Sequence, residues 1–140
     1  TTRKKNMIDI LAAHRIPYIA TASPSNLNDL AEKVAKAKAI RGTKVIIVLI
    51  PCLPGWGVAD NSAVQTARLA VESGVFPLME IIDGLHLTLT EPKKPKPINE
   101  YLAQQKRYRH LKDQDISQMQ GYINQEWDIL SKRAAIEAPV

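Results

Sequence analysis

Apolar positions along the chain alternate between helical and strand spacing. Met7, Ile10 and Leu11 recur at helical intervals, and that pattern ends near Arg15 and Ile16, ahead of Pro17. Residues 18–22 follow as a short buried strand, closed by the Ser23-Pro24-Ser25 turn signal. Leu27, Leu30, Ala31, Val34, Ala35 and Lys38 then return to helical spacing. Ser25 or Asn26 is placed to cap this helix, and Gly42 to stop it. Residues 44–50 carry the strongest strand signal, apolar from Val45 through Ile50. A continuous β-branched run predicts burial on both faces, the habit of a parallel sheet covered by helices.

A third helix is predicted from about Asn61, with Val64, Ala67, Leu69, Ala70 and Val71 inward and Gly74 as its stop. Residues 76–82 and 85–89 read as strands around Asp83-Gly84, a hairpin at the edge of the sheet. Alternation of helix and strand over the first 90 residues predicts right-handed crossovers and a mostly parallel sheet. Pro92, Pro95 and Pro97, interleaved with three lysines, form a semi-rigid connector. Two helices complete the pattern, one over 98–111 and one from Asp115 into the 130s, with Asp115 and Gln118 spaced as a capping box. In the last helix Ile116, Met119, Ile123, Trp127, Leu130 and Ala134 form a narrow stripe, suited to packing on one neighbour in this domain or in another subunit. The predicted class is α/β, a mostly parallel sheet flanked by helices with a C-terminal helical extension. It divides into an α/β subdomain over 1–91, a connector over 92–97 and helices over 98–140.

Composition narrows the class. The 140 residues have room for one domain, and 45% hydrophobic with 24% charged residues suits a packed core and excludes a disordered chain. The longest apolar run is too short to span a bilayer, and no signal-peptide pattern opens the sequence, which predicts a soluble cytoplasmic chain without a membrane partner. A single cysteine excludes an internal disulfide framework. The 91–112 stretch holds seven basic residues (Lys93, Lys94, Lys96, Lys106, Arg107, Arg109, Lys112) against Glu91 and Glu100, a surplus equal to the whole-chain net charge of +5. Such a segment suits a solvated surface, an acidic protein or nucleic acid. Nucleic acid fits poorly, because base-stacking aromatics among these cations are limited to Tyr101 and Tyr108.

Candidate chemistry centres on Cys52. It follows the apolar run of the second strand, where ligands of open α/β sheets gather. Pro51 and Pro54 stiffen its loop, while Gly55 and Gly57 permit close backbone approach around Trp56. From position alone Cys52 is a nucleophile, a metal ligand or an inert buried hydrophobe. One thiolate does not complete a metal site, which needs about four ligands. His14, His86 and His110 share no motif spacing with it. There is no phosphate loop, dinucleotide fingerprint, nucleophile elbow or His-Glu-x-x-His. Thr21 and Ser23 stand at a strand end, either lining the same crevice or forming its turn.

Six ordered blocks carry a resemblance: Tyr18-Ile19-Ala20-Thr21-Ala22-Ser23, Lys33-Val34-Ala35-Lys36-Ala37, Ile50-Pro51-Cys52-Leu53-Pro54-Gly55-Trp56, Ala67-Arg68-Leu69-Ala70-Val71-Glu72-Ser73-Gly74, Pro77-Leu78-Met79-Glu80, and Glu100 to Tyr108. In this order the chain resembles the carboxyl half of the thiamine-diphosphate-binding β subunit of 2-oxoacid:ferredoxin oxidoreductases, with Pro-Cys-x-Pro-Gly-Trp as the most telling block. The resemblance implies oxidative decarboxylation of a 2-oxoacid such as pyruvate, with coenzyme A, thiamine diphosphate, magnesium and iron–sulfur clusters, and ferredoxin as acceptor. It implies that Cys52 is the fourth thiolate of the four-iron four-sulfur cluster beside the thiamine. The family's other three cluster cysteines and its Gly-Asp-Gly-type diphosphate segment are not in this sequence, and Lys106 stands where the pattern has glycine. The expected partners are therefore the amino-terminal half of the β subunit and other oxidoreductase subunits. No catalytic residue is assigned, and the chain alone is expected to bind neither thiamine diphosphate nor a complete cluster. The competing expectation is a non-catalytic module whose basic 93–112 segment docks an acidic protein or RNA.

Overall fold

A computed structural model describes residues 5–137 of the chain. The elements run α1 (Met7–Ala13), β1 (Tyr18–Ala22), α2 (Leu27–Ala39), β2 (Lys44–Val48), α3 (Leu53–Trp56), α4 (Ala63–Glu72), β3 (Leu78–Ile82), β4 (His86–Thr90), α5 (Ile98–Ala103) and α6 (Asp113–Glu137). Short 3₁₀ turns at Asp60–Ser62 and Lys106–Tyr108 precede α4 and follow α5. The class is α/β, as the alternation predicts. Of the predicted spans 1–91 and 98–140, residues 1–4 and 138–140 lie outside the described residues.

One four-stranded sheet has the order β2-β1-β3-β4. β1 and β2 are parallel, Tyr18 beside Lys44 and Ala22 beside Val48, joined by the α2 crossover. β3 runs antiparallel to β1, and β4 antiparallel to β3. The sheet is thus mixed, with one parallel pair rather than a mostly parallel core. The hairpin supplies the reason: a strand and its tight-turn partner are obligatorily antiparallel, and β3 enters the sheet against β1. Asp83 and Gly84 take φ of +52° and +68°, the left-handed pair a type I′ turn demands. The Asp83 amide donates to the Pro17 carbonyl at 3.0 Å, tying the turn to the start of β1.

Which strand is central differs from the sequence expectation. β1 is buried along its whole length, whereas β2 is an edge strand with no buried residue. Residues on β1 alternate between faces. Ile19 packs with Ile8, Ala12, Met79, Ile81, Leu87 and Leu130, beneath α1 and α6. Tyr18 and Ala20 pack with Ala37 of α2 on the other face. A further cluster joins Leu69 and Ala70 of α4 to Ile98, Tyr101 and Leu102 of α5, with Ile116, Met119 and Ile123 of α6 against it. The narrow α6 stripe therefore packs within this chain. Trp127 confirms the seat by donating its indole N–H to the Gly74 carbonyl at 2.9 Å.

Several helix details depart from the periodicity. α1 turns Ile8 and Ala12 inward, leaving Met7 and Ile10 exposed. α5 stops at Ala103, short of the predicted 98–111, because Gln105 is extended (φ −126°, ψ 117°) before the 3₁₀ turn. α6 begins two residues early, and Asp115 accepts from the Lys112 amide at 2.9 Å. That is the reach-back half of a capping box, performed from the third helical position. α2 buries Lys33 and Ala37 while Leu27 and Val34 stay exposed. Lys33 is only 1% exposed. Its aliphatic stem fills core space, and its ammonium donates to the Thr21 carbonyl at 2.9 Å and pairs with Asp29 at 2.8 Å.

Candidate functional site

β2 ends at Val48, and Leu49 to Pro51 carry the chain to Cys52. Cys52 precedes the four-residue helix α3 with extended backbone (φ −85°, ψ 100°), and Pro54 sits in the first turn. The Trp56 amide donates to the Cys52 carbonyl at 2.9 Å, and the Val58 amide to the Leu53 carbonyl at 3.0 Å. Gly57 closes the turn in the left-handed region at φ +65°. A rigid, hydrogen-bonded turn thus carries the thiol, and Cys52 is exposed. Of the three readings its position left open, inert burial is the one this exposure does not match within this chain.

Two glycines shape this surface. A Cβ on Gly55 would lie 2.9 Å from the Cys52 sulfur, so glycine keeps that flank of the thiol clear. A Cβ on Gly57 would lie 2.6 Å from the Lys106 Cβ, and the Lys106 amide donates to the Gly57 carbonyl at 3.3 Å. The close approach expected of a glycine at position 106 is therefore provided from the opposite wall, by Gly57. It brings the 3₁₀ turn Lys106–Tyr108 against the Cys52 turn, a neighbour that spacing along the chain does not reveal.

Arg107 consolidates the junction. Its guanidinium carbon lies 4.0 Å from the Trp56 ring centroid and 4.6 Å from that of Tyr108. Its Nε donates to the Gln105 side-chain oxygen at 3.0 Å, and Gln105, 1% exposed, donates in turn to the Tyr101 carbonyl. Burial pushes the Tyr101 hydroxyl's pKa up. The basic segment is therefore not uniform: Arg107 is held between two rings, Lys96 pairs with Glu100 at 2.9 Å, and Lys93, Lys94, Arg109 and Lys112 are exposed.

Thr21 and Ser23 are buried rather than crevice-lining. The Thr21 hydroxyl donates to the Pro77 carbonyl at 2.6 Å and accepts from the Met79 amide at 2.9 Å, which binds β1 to the start of β3. The Ser23 and Ser25 hydroxyls share a hydrogen bond within the turn before α2. His14, His86 and His110 are exposed and scattered, and among the described residues no three His, Cys, Asp or Glu side chains gather to hold a metal ion. A groove of about 530 Å³ between α5 and α6 is lined by residues such as Asn99, Ile116, Gln120 and Asn124, and does not include Cys52. No described helix is long and apolar enough to cross a membrane.

The described residues define an α/β chain with one accessible thiol on a rigid turn beyond a strand, and no assembled metal-binding set of its own. No protein-family model matches it. It is 50% identical to the pyruvate synthase subunit PorB of Methanocaldococcus jannaschii over 91% of its length and 43% of that subunit's. It is 41% identical to the ketoisovalerate oxidoreductase subunit VorB of Pyrococcus furiosus, over 95% of this chain and 43% of that one. With PorB of Thermotoga maritima the identity is 36% over 91% of this chain and 41% of the relative. The chain is a homologue of these PorB and VorB subunits, and it spans about two-fifths of the length of the curated relatives it matches.

Proposed function

We propose that the chain forms part of a 2-oxoacid:ferredoxin oxidoreductase, with pyruvate as the substrate, and that Cys52 supplies one thiolate of a four-iron four-sulfur cluster. The observation that carries this reading is an exposed thiol on a proline-stiffened, glycine-flanked turn, in a chain 36–50% identical to PorB subunits of pyruvate synthases. Identity to pyruvate synthase subunits spans 36–50% and identity to a ketoisovalerate subunit is 41%, so the choice of pyruvate rests on the 50% match and is decided by turnover.

The residues present fit the group as far as one ligand. The sulfur is accessible, and the absence of a Cβ at Gly55 leaves space beside it that alanine would fill. A cluster of this type takes about four thiolates, and this chain has a single cysteine, so the remaining ligands belong to other parts of the assembly. When bound, thiamine diphosphate with magnesium supplies carbanion stabilisation, coenzyme A accepts the acyl group, and the cluster offers electrons a path to ferredoxin. The chain's own residues have simpler tasks. Pro51, Pro54 and Gly57 hold the sulfur's position, and Arg107 locks the turn against the 106–108 segment through the Trp56 ring. The exposed Lys93, Lys94 and Arg109 add a positive field that steers an acidic electron acceptor.

The testing experiment is iron content and reduced-state electron paramagnetic resonance of the anaerobically assembled complex, with native Cys52 and with Cys52→Ala. The expected result is loss or change of type of one cluster signal. Identical cluster signals in both samples would refute the ligand role. Turnover with pyruvate and with 2-oxoisovalerate settles the substrate. The competing docking-module reading loses Arg107 and Lys96, which are engaged within the chain, and keeps only the exposed Lys93, Lys94, Arg109 and Lys112.

A further inference from the structure

Arg107 carries a charge that no described carboxylate balances. Lys33, Lys36, Lys96, Lys132 and Arg133 each pair with an acidic side chain, whereas among the described residues Arg107 pairs with none. Its neighbours are neutral: the Trp56 and Tyr108 ring centroids lie 4.0 and 4.6 Å from the guanidinium carbon, and Nε donates to the Gln105 side-chain oxygen. A guanidinium is weakly hydrated and stacks on aromatic faces, so it can sit there without a carboxylate. Gln105, 1% exposed and bonded to the Tyr101 carbonyl, fixes its place. Arg107 is half-buried, so water and salt screen its charge less than that of an exposed lysine. The seat of this charge is the turn that carries the thiol. Trp56 ends α3 and its amide donates to the Cys52 carbonyl, so the ring under the guanidinium and the sulfur belong to one hydrogen-bonded turn. Segments 49–59 and 101–112, which meet here, contain no acidic residue, and the second holds Lys106, Arg107, Arg109 and Lys112. Of these four cations only Arg107 is not fully exposed.

We propose that Arg107 is an electrostatic positioning residue for Cys52. Fixed over Trp56 and balanced by no described carboxylate, it holds a positive field at the sulfur that draws an anionic group there and favours the more negative redox state of a cluster bound by the thiol. The redox half of this inference rests on the reading of Cys52 as a cluster ligand. One-electron reduction adds one negative charge to a cluster, with no proton or leaving group involved, and a fixed cation nearby makes that addition more favourable. Arg107 acts here through the turn: its stacking on Trp56 sets where the charge stands relative to the sulfur.

Two measurements test it, the first without any cluster. In the free chain Cys52 is alkylated with iodoacetate, an anion, and with iodoacetamide, which is neutral. The ratio of the two rates reads the field at the sulfur, because accessibility and thiol ionisation act on both reagents alike. Arg107→Met, which keeps an unbranched stem against the rings, is expected to lower that ratio about threefold, and Arg107→Lys to keep most of it. The native ratio is expected to fall as salt rises to about 1 M. A ratio unchanged in Arg107→Met, one lost equally in Arg107→Lys, or a native ratio indifferent to salt overturns the proposal. The second measurement is a dithionite titration of the anaerobically assembled complex, followed by electron paramagnetic resonance. In Arg107→Met the equilibrium constant for reducing the cluster that Cys52 holds is expected to fall about tenfold, which is about 59 mV for one electron. A cluster signal lost in Cys52→Ala with a potential unmoved in Arg107→Met removes this proposal and leaves the cluster reading standing. A cluster signal that survives Cys52→Ala removes the cluster reading and the redox half with it, and the alkylation ratio then decides whether Arg107 sets the field.

Discussion

Lys33→Met tests the packing beneath the β1–α2 corner most directly. Methionine keeps an unbranched apolar stem in the core and removes only the ammonium. The loss is then confined to two contacts, one with the Thr21 carbonyl and one with Asp29. A hydrogen bond to a charged group contributes about 1.5–3 kcal/mol, and breaking a fully buried ion pair costs about 3–5 kcal/mol. The Asp29 side chain keeps 21% exposure, so water recovers part of its solvation and the pair falls below the buried range. The expected cost is about 2–3 kcal/mol. For a chain of this size that corresponds to a fall in melting temperature of about 6–12 °C. Urea unfolding and thermal melts measure it, and Lys33→Met combined with Asp29→Leu should recover part of the loss because neither charge is then left alone. A Lys33→Met variant within about 0.5 kcal/mol of the native chain would refute the reasoning, showing that desolvating the ammonium costs as much as its partners return.

Three further outcomes are expected. Gly74→Ala forces a side chain at φ +76° into the Trp127 indole and disturbs its bond to the Gly74 carbonyl; a loss of about 2–4 kcal/mol with altered tryptophan fluorescence should follow. Gly55→Ala places a methyl group 2.9 Å from the Cys52 sulfur and should slow alkylation of the thiol severalfold while changing the melting temperature little; an unchanged alkylation rate would show that the flank is open by other means. Tyr18 is pushed well above the ordinary phenol pKa by burial and then by the Glu80 carboxylate, to which its hydroxyl donates at 2.8 Å. The folded state therefore holds this proton more tightly than the unfolded chain. That stabilisation is complete below about pH 10, the unfolded value, and is lost as pH rises toward the folded one. Tyr18→Phe should flatten the alkaline decline in an unfolding series, and an identical slope in both proteins would contradict the assignment.

The local alphabet of the fold was legible where short-range rules decide. β1 matches residues 18–22, the Asp83-Gly84 hairpin is present, and α2 and α4 stand close to where the pattern and its glycines place them, while α6 starts two residues ahead of the Asp115 cap. Strand order was not legible. The run from Val45 to Ile50 has the composition of a doubly covered strand, but its neighbours are chosen by pairings distant in sequence, and β3 takes the central place beside β1. Lys33 hid its burial behind its charge, since periodicity counts a lysine as polar although its stem is apolar. At the candidate site, the stiffness of the Cys52 turn was readable from Pro51 and Pro54, and the close approach from Gly55 and Gly57. The clamp by Arg107 was not, because Trp56 and Arg107 are far apart in sequence and meet only through the Gly57–Lys106 approach.

α1 and α6 are fastened to each other across the chain. Arg133 pairs with Asp9 at 3.0 Å, and Leu130 shares a cluster with Ile8 and Ala12. The first and last described helices are thus brought together over the same face of the sheet. The same geometry makes the unit a candidate for circular permutation. A short linker from α6 to α1, with new ends opened in the exposed 92–97 connector, should preserve the sheet and the Cys52 turn.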